Sequence, residues 1–337
     1  VLCTLTIDIL AIDTSCDDTS AAVVRNGRTI LSNIVSSQSG IHEKYGGIVP
    51  ELASRRHTEM IWHVTQEALD RAGVKLEELD AIGVCFGPGL VGSLIVGCSF
   101  AKALHYATGV ALIGVNHLEG HIFSSFLMDR EPPQFPFLCL IVSGGHTSLY
   151  KVEGFKQYVE LGRTRDDAAG EAYDKAAKML GLGYPGGPII DVLAAKRGAK
   201  GSISFPRAYL PESYDFSFSG LKTSVKNYIA NNKDGYEIED ICKSFQDALV
   251  DVLEYKIRKA VNNERVDRVA ICGGVAANNR LRSVMERLSS DLSFTLYTPP
   301  KSLCTDNAAM IGACAHFYYI NGIFADLTLN PAAYTKI

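Results

Sequence analysis

The chain carries nine cysteines but no CxxC pair. That absence excludes the thiolate zinc clusters and dithiol redox centres that such spacings announce. No apolar run approaches the ~20 residues a helix needs to cross a bilayer. Basic charge is not in surplus either: 33 Lys and Arg face 37 Asp and Glu, a net charge of −4. A nucleic-acid substrate would therefore be gripped by a local patch or through a partner rather than by a general basic footprint. Arg55, Arg56, Arg163, Arg165, Lys196, Arg197 and Lys200 are the candidates, and solvated surface charge is the plainer reading of each. No low-complexity segment or long linker interrupts the chain.

What is there suits a two-lobed globular protein. A length of 337 residues exceeds one small core, and 47% hydrophobic with 21% charged residues is an ordinary soluble balance. The opening stretch Val1 to Ala11 is apolar but contains Asp8 and lacks a basic leader, so it reads as a buried strand rather than a signal peptide. Cys3, Cys16, Cys85, Cys98, Cys139, Cys242, Cys272, Cys304 and Cys314 mostly sit in apolar runs, as buried thiols do in a reducing cytoplasm.

One plan of elements appears twice. Thr6 to Asp13 and Thr19 to Arg25 read as strands, Asn26-Gly27 as a hairpin signal, and Arg28 to Val35 as a third strand. Phe137 to Ser143, Thr147 to Val152 and Lys156 to Leu161 repeat the pattern. Helices are expected over Glu51 to Ala72, Gly92 to Thr108, Asp167 to Leu180 and Ile238 to Asn262. Leu79 to Cys85, Val110 to Val115 and Asp267 to Cys272 read as buried parallel strands. This is the plan of the actin/sugar-kinase/Hsp70 (ASKHA) superfamily, an α/β fold of two lobes with a central ligand cleft. Residues 1–116 with 307–337 form the first expected lobe, and residues 117–306 the second.

Two kinds of chemistry-bearing element stand out. His117 and His121 lie four apart and project from one face of a helical segment, so both imidazoles can reach one ion. Asp306, ahead of the last apolar helix, is the candidate third ligand and equally a candidate N-cap. Two histidines and a carboxylate suit Fe(II) or Zn(II). The HExxH protease motif would need glutamate where Leu118 stands, and Glu119 is rotated to another side. Ser143-Gly144-Gly145 follows a buried strand and can present backbone N–H groups to an anion, or serve as a plain hairpin turn. Gly273 to Asn278 opens a helix at a strand end, where α/β sheets bind ligands. The turn Gly183 to Pro188 precedes a helix carrying Asp191. Asp17 and Asp18 are adjacent carboxylates in the first turn and would accept a cation or a proton in transit.

Taken together, DTSCDDT, FGPGLVGSL, NHLEGH, VSGGHT, DDAAGEAYDK, GYPGGP, FSFSGLKTS, CGGVAAN and CTDNAAM closely resemble the TsaD/Kae-type family. Its members are tRNA N6-adenosine threonylcarbamoyltransferases, and ELASRRH with the long DDAAGEAYDKAAKMLGLGYPGGP run looks like the bacterial branch. The resemblance spans Ile9 to Asn330. One departure is the first motif, where the family usually has ETSCDET and this chain has Asp13 and Asp18 on shorter arms. The resemblance implies a cytoplasmic acyltransferase. It would move the threonylcarbamoyl group of threonylcarbamoyl-AMP to adenosine 37, immediately 3′ of the anticodon, in tRNAs reading codons that start with A. It implies a divalent metal, Fe(II) favoured and Zn(II) the alternative, on His117, His121 and Asp306. Implied substrate contacts are Leu140, Ile141, Val142, Ser143, Gly144, Asp174, Gly187, Asp191 and Asn278. Asp17 and Asp18 are the candidates to take the proton lost from N6. The implied partners are tRNA, a shorter TsaB-like relative of the same fold and a TsaE-like P-loop ATPase, with no membrane. The competing readings are a small-molecule kinase on the same fold and a metal-dependent glycoprotein endopeptidase.

Overall fold

The computed structural model describes residues 6–232 and 235–337. Cys3 and the first residues of the apolar opening stretch lie outside them. The chain divides into two compact units, Val1–Pro132 with Thr305–Ile337 and Pro133–Cys304.

In the first unit, β1 (Asp8–Asp13), β2 (Thr19–Arg25) and β3 (Thr29–Ser36) form an antiparallel meander. The short helix α1 (Ser39–His42) leads to α2 (Pro50–Ala72), β4 (Ala81–Gly87), α3 (Val91–Thr108) and β5 (Ala111–Asn116). β4 and β5 add to β1 in parallel, giving the order β3-β2-β1-β4-β5. β1 is wholly buried because both of its faces are covered. Successive strand residues point to opposite sides, so Leu10 and Ile12 meet the cluster that includes Ile61 and Leu69 of α2. Ile9 and Ala11 face the last helix, α10 (Ala308–Ile320), whose Gly312 leaves room for Ala11 and Val24. α2 starts on Pro50, which suits a first turn whose N–H has no partner, and ends at Gly73 with φ +66°. The hairpin reading holds: Asn26 and Gly27 take φ of 53° and 66°.

The second unit repeats the order with new members. β6 (Phe137–Val142), β7 (Thr147–Gly154) and β8 (Gln157–Arg163) form its meander. β9 (Arg268–Cys272) and β10 (Thr295–Tyr297) add in parallel, giving β10-β9-β6-β7-β8. Its helices are α5 (Ala169–Met179), α6 (Gly186–Ala194), α7 (Ser219–Asn231), α8 (Ile238–Glu264) and α9 (Asn279–Leu292). Leu138, Leu140 and Val142 of β6 pack into one core with Tyr173, Phe245, Leu249 and Met285. α7 and β10 were not among the elements expected from sequence, whereas α9 is the helix expected to open after Gly273 to Asn278.

The units divide at different residues from the expected lobes, which broke at 116 and 306. The helix after β5, α4 (His117–Phe123), packs on β5 and α10, so it stays with the first unit. Thr305 and Asp306 join it there. Among the described residues, no helix is long and apolar enough to cross a membrane.

Candidate metal and substrate sites

The metal ligands expected from sequence all fall in the first unit. α4 begins where β5 ends, with the Asn116 side chain accepting from the Leu118 N–H at 2.8 Å as N-cap. That start places His117 and His121 one turn apart, their rings 4.6 Å between centroids and 76° between planes. Both Nε2 atoms face a single oxygen, Asp306 Oδ1, at 3.4 Å from His117 and 3.3 Å from His121. Ligands bound to one ion at ~2.0–2.2 Å stand about 3.0–3.5 Å from one another, so the three side chains fit a shared ion. His121 is wholly buried and neither of its ring nitrogens has a hydrogen-bond partner. An imidazole so placed is costly unless something occupies its lone pair.

Asp306 is free for this role because it is not the N-cap of α10. Asn307 is, accepting from the Met310 N–H at 3.2 Å. Burial works against the charge on His117, yet the carboxylates of Asp306 and Asp13 hold its imidazole well above the usual range. The same histidines hold the Asp306 carboxyl well below its usual range, against burial. Burial pulls His121 down.

Asp17 and Asp18 lie in the turn between β1 and β2. Burial and then the charge of Asp306 push Asp17 up. Burial and the charge of Asp17 push Asp18 up to about 7. The charge of Asp17 thus bears on Asp18, and both carboxyls hold a proton more readily than exposed ones do.

Several residues that position this turn were missed or had no assigned role. Burial lowers His57, which favours its neutral ring. A carbonyl only accepts, so Nε2–H donates to Cys16 O at 3.0 Å, and Nδ1 accepts from the Thr19 hydroxyl at 2.8 Å. His57 closes the ELASRRH stretch, in which no role was assigned to the histidine. Gly89, in FGPGLVGSL, lets the chain pass so close that a Cβ there would stand 2.3 Å from Ser15 O. The Leu90 N–H then donates to that carbonyl at 2.8 Å. Glu119 is buried and accepts from the Tyr318 hydroxyl at 2.6 Å, pointing away from the base position of a zincin, as expected.

The expected substrate contacts lie in the second unit and divide into two groups. Leu140, Ile141 and Val142 have no exposed surface, being core residues of β6. Ser143 is also buried, and of the five only Gly144 is exposed. The turn is closed by Ser143 N–H to His146 O at 2.8 Å and by His146 N–H to Ser143 Oγ at 3.1 Å. Neither Gly144 nor Gly145 takes a positive φ, and a Cβ on either would meet nothing within 4 Å. What glycine supplies here is an uncovered backbone, not a turn conformation. Beside the turn is an open hollow lined by His146, Arg163, Arg165 and Asp215.

The other four residues belong to a hydrogen-bonded neighbourhood around α6. Asp174 on α5 accepts from the Gly186 N–H at 2.7 Å, at the start of α6. Gly187 follows, with open space where a Cβ would be. Asp191, buried on α6, accepts from Asn279 N–H at 3.1 Å and Nδ2 at 2.7 Å. Asn278 is the N-cap of α9, accepting from Leu281 N–H at 2.9 Å and donating to Gln246 Oε1 at 2.7 Å. Its donor and acceptor, expected for substrate, are thus both engaged inside the unit.

The candidate basic patch is largely paired. Arg55, Arg56, Arg163, Arg165 and Lys196 each lie within 4.0 Å of an acid: Glu51, Glu59, Glu160, Asp215 and Glu239 in turn.

A family model described as "TsaD: tRNA N6-adenosine threonylcarbamoyltransferase" matches residues 29–313. The chain belongs to the TsaD family. It is 59% identical over 335 residues to a tRNA N6-adenosine threonylcarbamoyltransferase of Thermodesulfovibrio yellowstonii, covering 98% of this chain and 99% of the relative. It is 52% identical to the same-named protein of Clostridioides difficile, covering 97% and 98%. In fold it is similar to a HypF from T. kodakarensis, with a TM-score of 0.62 and 15% identity over 96% of this chain and 50% of that one. It is also similar to component A of the Acidaminococcus fermentans (R)-2-hydroxyglutaryl-CoA dehydratase, with a TM-score of 0.54 and 17% identity over 94% and 99%. The TsaD chain therefore has the α/β ASKHA-type fold expected from the repeated meander.

Proposed function

We propose that this chain transfers the threonylcarbamoyl group of threonylcarbamoyl-AMP to N6 of tRNA adenosine 37, next to the anticodon of tRNAs reading codons that start with A, and releases AMP. The observation that carries this reading beyond family membership is the set His117, His121 and Asp306, with the carboxylates of Asp17 and Asp18 in the turn beside it.

The donor is a mixed anhydride, so its carbonyl carbon is activated before it arrives. The N6 amine attacks that carbon, a C–N bond forms, the C–O bond to the AMP phosphate breaks, and N6 loses a proton. The amine is weak because its lone pair is delocalised into the ring, so alignment and charge neutralisation are the main tasks. His117, His121 and Asp306 would hold a divalent ion, Fe(II) favoured and Zn(II) the alternative, which would supply Lewis-acid charge for the phosphate of the leaving AMP. Asp17 or Asp18 accepts the N6 proton, directly or through water. In the second unit, the uncovered backbone at Gly144 and Gly145 suits negative charge, and the open space at Gly187 suits a ligand's flat or sugar part.

The rival readings find less support. A kinase magnesium site favours oxygen ligands, whereas two imidazoles stand here. A zincin needs a glutamate beside its metal, and Glu119 is bound to Tyr318. The mildly acidic charge and the paired arginines favour help in gripping tRNA. A shorter TsaB-like relative and a TsaE-like ATPase, in the cytoplasm, would fill that need.

The deciding experiment combines the protein and these partners with synthetic threonylcarbamoyl-AMP and unmodified tRNA, and reads the nucleosides by mass spectrometry. The expected product is threonylcarbamoyladenosine with one AMP per transfer. Unmodified tRNA beside an intact, metal-loaded protein rejects the reading. An Asp17→Asn variant with full single-turnover transfer removes Asp17 from the proton step.

A further inference from the structure

We infer that Asp13, the last residue of β1, is the positioning residue that orients His117 as a metal ligand. The inference rests on the reading of His117, His121 and Asp306 as a metal site.

Asp13 is only 1% exposed, and its two oxygens have different surroundings. Oδ1 accepts from the Ser15 N–H at 2.9 Å, which pins the carboxylate at the start of the turn. Oδ2 is buried without a hydrogen-bond partner and faces His117 Nδ1 at 3.5 Å. That ring nitrogen is equally buried and equally unpartnered. Leaving a buried donor and a buried acceptor unpaired is expensive, and a small ring movement would pair both.

The imidazole is rigid, so what Nδ1 does decides what Nε2 can do. With the proton on Nδ1 and directed at Asp13, the Nε2 lone pair points to the other side of the ring. That is the side where Asp306 Oδ1 and His121 Nε2 lie. A carboxylate behind a metal-bound histidine fixes the tautomer, aims the ring and raises its basicity. The mounting of Asp13 is stiff. It pairs with Ser20 across β1 and β2, and the next residue, Thr14, donates its hydroxyl to Ser93 O at 2.8 Å.

Cys85 completes a second group with Asp13 and His117, all buried, which invites the alternative of a separate ion there. That ion would require His117 to bind through both ring nitrogens and so shed both protons. A second ion is therefore one of the outcomes the test must separate.

The test uses the full chain with cobalt(II) or zinc(II) alone as probe. Affinity is read by competition with a chelator, and the His117 tautomer by nitrogen-15 NMR of the zinc-loaded protein. The expected results are one ion per chain, an Nδ1–H tautomer, and a 10–100-fold weaker affinity in Asp13→Asn. An amide has one acceptor oxygen and must forgo either Ser15 N–H or His117 Nδ1–H. Asp13→Glu, which keeps the charge, is expected to recover most of the loss. An Nε2–H tautomer in the wild type, two ions per chain, or unchanged affinity in Asp13→Asn overturns the inference. Should Asp13→Asn fail to fold, the wild-type tautomer and stoichiometry still decide. Failure of the metal-site reading itself looks different: His121→Ala would then bind as tightly as the wild type, and the inference falls with it.

Discussion

The two units run their five strands in the same order, and each opens a turn between its first two strands, yet those turns carry opposite kinds of polar group. In the first unit the turn from Asp13 to Asp18 gathers carboxylates against two histidines and Asp306. In the second, Ser143 to His146 contributes no acid and exposes the backbone of Gly144 and Gly145. Each turn is seated by a glycine that permits close approach: Gly89 against Ser15 O, and Gly170 against Ser143 O, where a Cβ would stand 2.7 Å away. The meander thus fixes where a turn sits, while the residues in it decide whether it presents carboxylates or bare backbone.

The strongest way to break the contrast is to remove the cation side. His121→Ala is expected to cut metal affinity by more than about 100-fold, beyond the range for outer-sphere partners, and to abolish transfer. Metal analysis and the nucleoside assay check it.

The seating glycines come next. Gly89→Ala should destabilise the protein by about 2 kcal/mol, as overpacking against a backbone carbonyl does, and should weaken metal binding. Gly170→Ala should cost a similar amount in denaturant unfolding without touching metal affinity. Equal losses of metal binding in both variants would contradict independent seating.

The acid turn also has a pH signature. The folded Asp18 carboxyl sits at about 7, above its ordinary 3.8. Between those values the native state keeps a proton that the unfolded chain has released, so stability falls as pH rises through that window. Asp18→Asn in chelator-treated protein should lessen the fall, the raised Asp17 keeping its share, and gain on the order of 1–2 kcal/mol above pH 7 after allowance for screening of a partly exposed group. Thermal unfolding at pH 4.5 and 7.5 checks the sign, and the variant should show no gain at pH 3.5.

The smallest expected effect sharpens the other side. Gly144→Asp places an acid in the neutral turn at a position with room for a side chain and no positive φ. It should raise the KM for the AMP ester about tenfold, the order of one lost charge interaction (~1.4 kcal/mol), with unfolding unchanged.

Much of this was legible in the chain. The repeated meander followed from alternating and apolar runs between turn signals, and β2 begins and ends at the expected residues. The i,i+4 histidines followed from helical geometry. The start of α9 followed from the glycine-rich strand end before it, and Leu281, Val284, Met285 and Leu288 mark its one buried face. α7 offered less: its first N–H groups are satisfied from far away by Asp166, ahead of α5, which accepts from Phe218 N–H at 2.8 Å and Ser219 N–H at 3.2 Å. No local pattern announces such a partner.

By itself the sequence determined which residues share a face and which turns are acidic or bare, since the periods of strand and helix are properties of neighbouring residues. Tertiary structure decided the rest. It gave α10's cap to Asn307 and thereby released Asp306, it turned Glu119 to Tyr318, and it set Asp13 behind His117. The reason is physical: a side chain's partner across a sheet or a distant helix is chosen by the packing of whole elements, and no period along the chain encodes that choice.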